Sequence, residues 1–380
     1  MFQERHALLP SETHDEAARY AFVSTLRKAF TTQLFPGMRT VYQEAARPAF
    51  VAKHGREPET VREARELMQR SFFYRGANVV GRAAQELLWD TVGESIERQL
   101  DTIDEAAKPK PGDLGTVRSN PDLAIPRYID AVDIHVMPGN FHTELAPDDT
   151  FAGALYDRGV HVFAFGGLGA RNDGLGVAQA GWVKETYPEL KPRRILDMGC
   201  GPGFTTLPWK EAFPDAEVYG IDVGGPQVRY AHGRAESLGI AAHFSQQDAT
   251  ATDFPDGYFD VIASMLVTHE CPQPVIRGLF KEAHRLLAPG GITIHDGGAT
   301  AASDPFDNLL TSWFGDNANE PFSAGFKSLD YDQAFVDAGF SRSAIVRGMR
   351  DPVYLKDQLP PITLVGAVKD ISGQDASDKE

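Results

Sequence analysis

RRILDMGCGPGF, Arg193 to Phe204, is the stretch on which the fold turns. A short apolar run ends in Asp197, and glycine then recurs at every second position, at Gly199, Gly201 and Gly203. An apolar run closed by turn residues reads as a buried strand. Glycines after it let the backbone bend tightly and come close to a ligand. Phosphate is the usual guest of such a turn at a helix N-terminus. Here an acid stands at the entrance, where it would repel phosphate. The run G-C-G-P-G also lacks the G-x-G-x-x-G spacing of dinucleotide folds. The loop therefore suits a phosphate-free ligand that carries positive charge.

Outward from this loop, EVYGIDV, FDVIASML, GGITIHDGG, RSAIVRG and ITLVGAVK read as further strands, with helical patterns such as VIRGLFKEAHRLL between several of them. This alternation predicts an α/β fold with a parallel, doubly wound sheet. The last two runs have no helix between them, which predicts an antiparallel hairpin at one sheet edge. Ligands of such sheets sit at the carboxyl ends of the strands, near the topological switch point. Asp222 closes VYGIDV, 25 positions after Asp197, about where an acid that binds ribose hydroxyls is expected. Asp248, in QQDATATDFPDGYFDVI, precedes the next strand. It can accept from an adenine amino group while the N–H of Ala249 meets a ring nitrogen.

ILDMGCGPG, YGIDV, QQDAT, FDVIASM and LLAPGG, in that order, resemble the class I S-adenosylmethionine (SAM)-dependent methyltransferases over roughly residues 150–370. The resemblance implies a Rossmann-like doubly wound seven-stranded sheet with an antiparallel last hairpin. It also implies SAM as cofactor, held by Asp197, Gly199, Gly201, Gly203, Asp222, Val223, Asp248, Ala249 and Met265. A looser likeness joins YDRGVHVFAFGGLG, Tyr156 to Gly169. It is similar to the Tyr-Asp and aromatic segment that forms a lid in sterol, tocopherol, fatty-acid cyclopropane and phosphoethanolamine type methyltransferases. By that likeness Tyr156 touches the cofactor; the other reading is a packed helix with a core tyrosine.

Methyl transfer needs the acceptor atom placed in line with the reactive methyl and water excluded. An acceptor that carries a proton also needs a base. ASMLVTHECPQP follows the FDVI strand and puts His269 and Glu270 in that position, as the expected catalytic pair. The run resembles S-M-E-S-x-E-H-M-P of tocopherol-type enzymes. Aligned on Pro272, however, the His and Glu are swapped. The other reading makes one a helix cap and leaves the other solvated. His295 and Asp296 end the ITIHDGG strand, and adjacent strand residues face opposite ways, so only one can reach an acceptor; His295 is the expected contact.

DIHVMPGNFHTE holds His135, His142 and Glu144. The spacing H-x6-H-x-E matches no metal site, so the expectation is substrate contact from His135 and His142, and no metal. Trp313, in the insertion after the ITIHDGG strand, is expected to wall the acceptor pocket. Cys200 reads as a small packing residue, and Cys271 as a candidate pocket residue.

Residues 1–145 read as a mainly helical accessory, lid or dimerisation region, 146–370 as the SAM-binding core, and 371–380 as a disordered tail. Within the first region a Pro/Gly-rich connector, about 108–126, precedes an expected short strand at Ala131–Met137. The 380 residues carry a net charge of −16, with 37 Lys and Arg against 53 Asp and Glu. That balance opposes nucleic-acid and anionic-membrane partners, which need a basic face. Two cysteines make no disulfide framework and suit a cytoplasmic address. No apolar run approaches a membrane span, and MFQERHALLP lacks the apolar core of a signal peptide.

The expected function is SAM-dependent methylation of a small molecule, with O or N favoured by the His/Glu pair and a homodimer through the N-terminal helices. Two alternatives stay open. One is an enzyme that cleaves SAM and releases methylthioadenosine. The other is a non-catalytic SAM-binding regulator.

Overall fold

A computed structural model describes residues 2–297, 304–351, 353 and 361–371. The strands are β1 (Thr116–Arg118), β2 (Arg194–Met198), β3 (Glu217–Asp222), β4 (His243–Gln246), β5 (Phe259–Ser264), β6 (Leu287–Asp296), β7 (Ile345–Arg350) and β8 (Ile362–Val368). They form one sheet in the order β1-β4-β3-β2-β5-β6-β8-β7. β1 to β6 run parallel, and β8 pairs antiparallel with both β6 and β7. The chain winds outward from β2 to β3 and β4 on one side, then crosses to β5 and β6 on the other. The switch point thus lies between β2 and β5, where Asp197 pairs with Ala263. Ile195, Leu196, Met198, Val261, Ile262 and Ala263 are fully buried, because helices cover both faces of a parallel sheet.

The sheet has eight strands where seven were expected. The added one, β1, comes from the Pro/Gly-rich connector and pairs with β4 through Thr116↔His243 and Val117↔Phe244. Three residues are too few to show a period, so only the pairing at the edge makes them a strand. The strand expected at Ala131–Met137 is absent. A helical turn, Arg127–Asp130, and a 3-10 turn, Ile134–Val136, stand there instead. The Asn140 side chain donates to the carbonyls of Ile129 and Val132, both at 2.8 Å, and folds the segment onto itself. Its backbone groups are then satisfied locally rather than by a sheet.

The N-terminal residues are helical, as their periodicity predicts. Two π-helical turns, Phe30–Leu34 and Tyr42–Ala46, stand just ahead of Pro36 and Pro48, whose rings and missing N–H groups displace the carbonyl one turn back. The long helix Phe72–Glu97 packs on the helix Phe151–Phe163. A Cβ at Gly159 would come within 2.2 Å of the Trp89 ring, so only glycine allows this approach. Asp157 ties the chain start to the core. Its buried carboxylate accepts from Gln3 Nε2 at 2.9 Å, Tyr230 OH at 2.9 Å and Asn172 Nδ2 at 3.0 Å, and lies 3.0 Å from His6 Nε2. Residues 372–380, most of the expected disordered tail, lie outside the described residues.

Candidate cofactor and acceptor site

The glycine loop leaves β2 with left-handed backbone at Gly199 (φ 76°), Gly201 (φ 48°) and Gly203 (φ 81°). The N–H groups of Gly199 and Cys200 both donate to the Ile221 carbonyl, at 2.8 and 2.9 Å. Asp222, at the end of β3, accepts from Gly201 N at 3.0 Å and from Gly224 N at 2.8 Å. One carboxylate thus fixes the two loops at the switch point, and each of its oxygens keeps a lone pair for a ligand.

A cavity opens at these strand ends. Gly199, Gly201, Asp222, Val223, Asp248, Ala249, Met265 and Tyr156 all line it, as does Glu270. Among the described residues no lysine, arginine or histidine lines it. Tyr156 stacks on Phe204, with ring centres 5.9 Å apart, and meets Phe141 edge-on at 5.3 Å. Burial holds its phenol well above the usual range, so it stays a neutral hydroxyl. Asp248 accepts from the backbone N–H and hydroxyl of Thr250, both at 2.8 Å, and burial raises the Asp222 pKa.

Two expected cofactor residues stand off this wall. Asp197 is fully buried behind the loop. Its Oδ2 accepts from the hydroxyls of Thr205 at 2.7 Å and Thr206 at 2.6 Å, while Oδ1 has no partner. Burial pushes its pKa up to about 6. The acid braces the junction between loop and helix. Gly203 turns toward Phe244 and Ala231.

The cavity suits SAM on three observations. A Cβ on Gly201 would lie 3.8 Å from Tyr156 and 3.9 Å from Gln227, so the bare glycine keeps the space between those two side chains open. Among the described residues the buried Gln227 Oε1 on the cavity wall has no hydrogen-bond partner. Acids without a facing cation match a ligand that carries a sulfonium and an ammonium group and no phosphate.

At the acceptor end, β5 leaves the sheet through Leu266, whose φ is 59°, and a 3-10 turn carries His269 and Glu270. Glu270 Oε1 lies 3.1 Å from His269 Nε2 and 2.7 Å from His135 Nε2. The other ring nitrogen of His135 lies 3.0 Å from Glu320 Oε1. Burial alone would lower the His135 pKa, but Glu270 and Glu320 outweigh it and push it up to about 10. Burial likewise opposes protonation of His269, and Glu270 reverses that and raises it. Burial would raise Glu270, but the two imidazoles hold it below the usual carboxylate range. At neutral pH His135 keeps its proton, and Glu270 carries the lone pairs.

Three expected substrate contacts lie elsewhere. His295 is fully buried, between Ser264 Oγ and Thr293 Oγ1 at 2.7 Å each, against Phe280. Burial drives its pKa down to about 3. Its neighbour Asp296 takes the site side: Thr268 Oγ1 donates to it at 3.4 Å, and its charge helps raise His269. His142 stays off the wall, 3.4 Å from Asp130, while Phe141 beside it lines the cavity. Trp313 packs against Phe30 and Phe35 and donates to Asn78 Oδ1 at 2.9 Å, so it clamps the insertion onto the N-terminal helices.

Sequence reading missed Tyr128, Gln227 and Glu320. None falls in a motif, and each arrives by a long-range approach. Cys271 does line the cavity, with burial pushing its thiol up to about 12.

Residues 195–291 match the methyltransferase domain family. A demethylmenaquinone methyltransferase from Thermus thermophilus is 38% identical over 103 residues, 27% of this chain and 46% of that protein. A ubiquinone biosynthesis O-methyltransferase from Bordetella bronchiseptica is 31% identical over 113 residues, 29% of this chain and 45% of that protein. The chain thus spans about half the length of these curated relatives. The crystal structure of magnesium protoporphyrin IX methyltransferase from Synechocystis, with bound S-adenosylhomocysteine, matches at a TM-score of 0.37 and 19% identity, covering 53% of this chain and 86% of that one. Over residues 195–291, with its motifs in register along the switch point, the chain thus resembles a methyltransferase domain.

Proposed function

We propose that this chain transfers the methyl group of SAM to an oxygen or nitrogen of a small, largely apolar molecule. The observation that carries this reading is one cavity with two ends. Asp222 and Asp248 face it without a cation at the strand ends, and Glu270 faces it beyond Met265.

When bound, SAM supplies an electrophilic methyl group. In this reading Asp222 accepts from the ribose hydroxyls, and Asp248 with the Ala249 N–H reads the adenine edge. Gly199 and Gly201 let the backbone close on the amino-acid end, and Tyr156 with Phe141 covers it as an aromatic lid. On the acceptor side Glu270 takes a hydrogen bond from the acceptor and receives its proton as the methyl group arrives, held in place by His269 and His135 as positioning residues. Ile129, Ile134, Val275 and Leu279 supply apolar wall and keep water out.

The coarse division of the chain belongs to the same proposal: 1–145 as accessory region and 146–370 as core. So does a homodimer through the N-terminal helices, supported by exposed Phe22, Phe72 and Val79. A cytoplasmic address is supported by two free, buried cysteines. Among the described residues no helix is long and apolar enough to cross a membrane.

Mass spectrometry of the nucleoside product tests the function. With SAM and a pooled small-metabolite extract, S-adenosylhomocysteine is expected only when the extract is present. Methylthioadenosine formed from SAM alone, above the spontaneous background, would overturn the reading.

A further inference from the structure

Two imidazoles aim at one carboxylate oxygen. His135 Nε2 and His269 Nε2 lie 2.7 and 3.1 Å from Glu270 Oε1. Together they are a set of three donor atoms all within 4.8 Å of one another. Ligand atoms on bonds of about 2.0–2.2 Å around one ion stand about 3.0–3.5 Å from their neighbours; the two distances to Glu270 Oε1 are near this, and the two imidazole nitrogens lie within 4.8 Å of each other.

A second feature favours an ion. The Nδ1 of His135 faces Glu320 Oε1 at 3.0 Å. With Nδ1 given to Glu320, an ion that displaces the Nε2 proton meets the lone pair of Nε2 and those of Glu270 together, with the ring already oriented. Carboxylate, imidazole and metal in a row is the usual way to orient a ligand histidine.

The backbone is also committed to this placement. His135 (φ 56°) and Val136 (φ 61°) are both left-handed, costly for any residue and most of all for a β-branched one. Trp89 Nε1 and Gln85 Nε2 hold the His135 carbonyl at 2.7 and 2.8 Å. Next to His269, the buried Asp296 keeps an oxygen, Oδ1, without a partner.

We propose that His135, His269 and Glu270 bind one divalent first-row transition ion, of the zinc or manganese kind, at the acceptor end of the cavity. Two imidazoles and a carboxylate suit such an ion better than magnesium or calcium, which take oxygen ligands. Three protein ligands leave a coordination position open. Glu270, the ligand that lines the cavity, puts the ion beside the space where an acceptor oxygen or nitrogen would bind. Only this last step rests on the methyltransferase reading; the ion site itself stands on the side chains. It departs from the expectation of no metal, which came from spacing within one segment, whereas the proposed ligands come from two.

The full chain, stripped with chelator, is titrated calorimetrically with Zn2+ and separately with Mn2+, without SAM. One ion per chain is expected for at least one of them, with binding lost in His269→Ala. Glu320→Gln keeps all three ligands and should weaken binding about 10–100-fold, with circular dichroism unchanged. No saturable binding of either ion would overturn the proposal and leave a proton-held cluster. Equal binding in His269→Ala and Glu270→Gln would overturn it too, by placing the ion elsewhere. SAM affinity measured on the same samples separates the two ideas: metal bound without SAM supports the ion site while failing the methyltransferase reading.

Discussion

The two ends of the cavity are built in different ways. The cofactor end is mostly backbone: three left-handed glycines, the Asp222 carboxylate on two loop N–H groups, and Asp248 on its own turn. Its pieces follow one another between residues 197 and 249. The acceptor end is mostly side chain. His135, Glu270 and Glu320 meet from three distant segments. Backbone sites are constrained by what the turn allows, so they recur as short motifs. Side-chain clusters are constrained only where elements converge, so they vary freely in sequence.

That contrast can be broken by experiment. Glu270→Gln should cut turnover by about 10²–10⁴-fold, the range for a lost acid–base group, while SAM affinity stays within a factor of about two. Single-turnover rates beside calorimetric SAM titration check this, and a matching loss of SAM affinity would mean that the two ends are not separable. Gly201→Val is the converse. A side chain at φ 48°, directed between Tyr156 and Gln227, should weaken SAM binding on the order of 100-fold with the helical signal intact, since strain of this kind costs about 1–3 kcal/mol before any clash. Near-normal affinity would move the cofactor off this loop.

The smallest effect concerns His295, which the structure removes from the site. Its pKa falls from 6.5 to about 3 in the folded chain, so below pH 6.5 the unfolded chain takes up a proton that the folded one refuses. Stability should therefore fall as pH drops from 6.5 toward 3, by at most roughly 1.4 kcal/mol per pH unit from this group. His295→Asn should flatten that loss. Urea midpoints at two pH values decide it, and identical slopes would mean that the imidazole is not held neutral in the interior.

Particular residues show how far sequence reading reaches. The strand period required that only one of His295 and Asp296 face the site, but not which; the packing of Phe280 and Phe335 drew the imidazole inward. Asp197 was legible as the acid before the glycines. Its direction was not, because two threonines at the very start of the next helix claim its Oδ2. Trp313 read as pocket wall, and Phe30 and Phe35, nearly three hundred positions away, hold it against the N-terminal helices instead.

By itself the sequence determined the α/β sheet, its reversed last hairpin, the helical N-terminal region and the loops of the cofactor end. Those follow from local periodicity and from backbone shapes that few residue types can adopt. Tertiary structure alone decided the edge strand β1, the role of Asp197, and the meeting of His135 with Glu270 and Glu320. These depend on which distant surfaces bury one another, and no short window of residues records that.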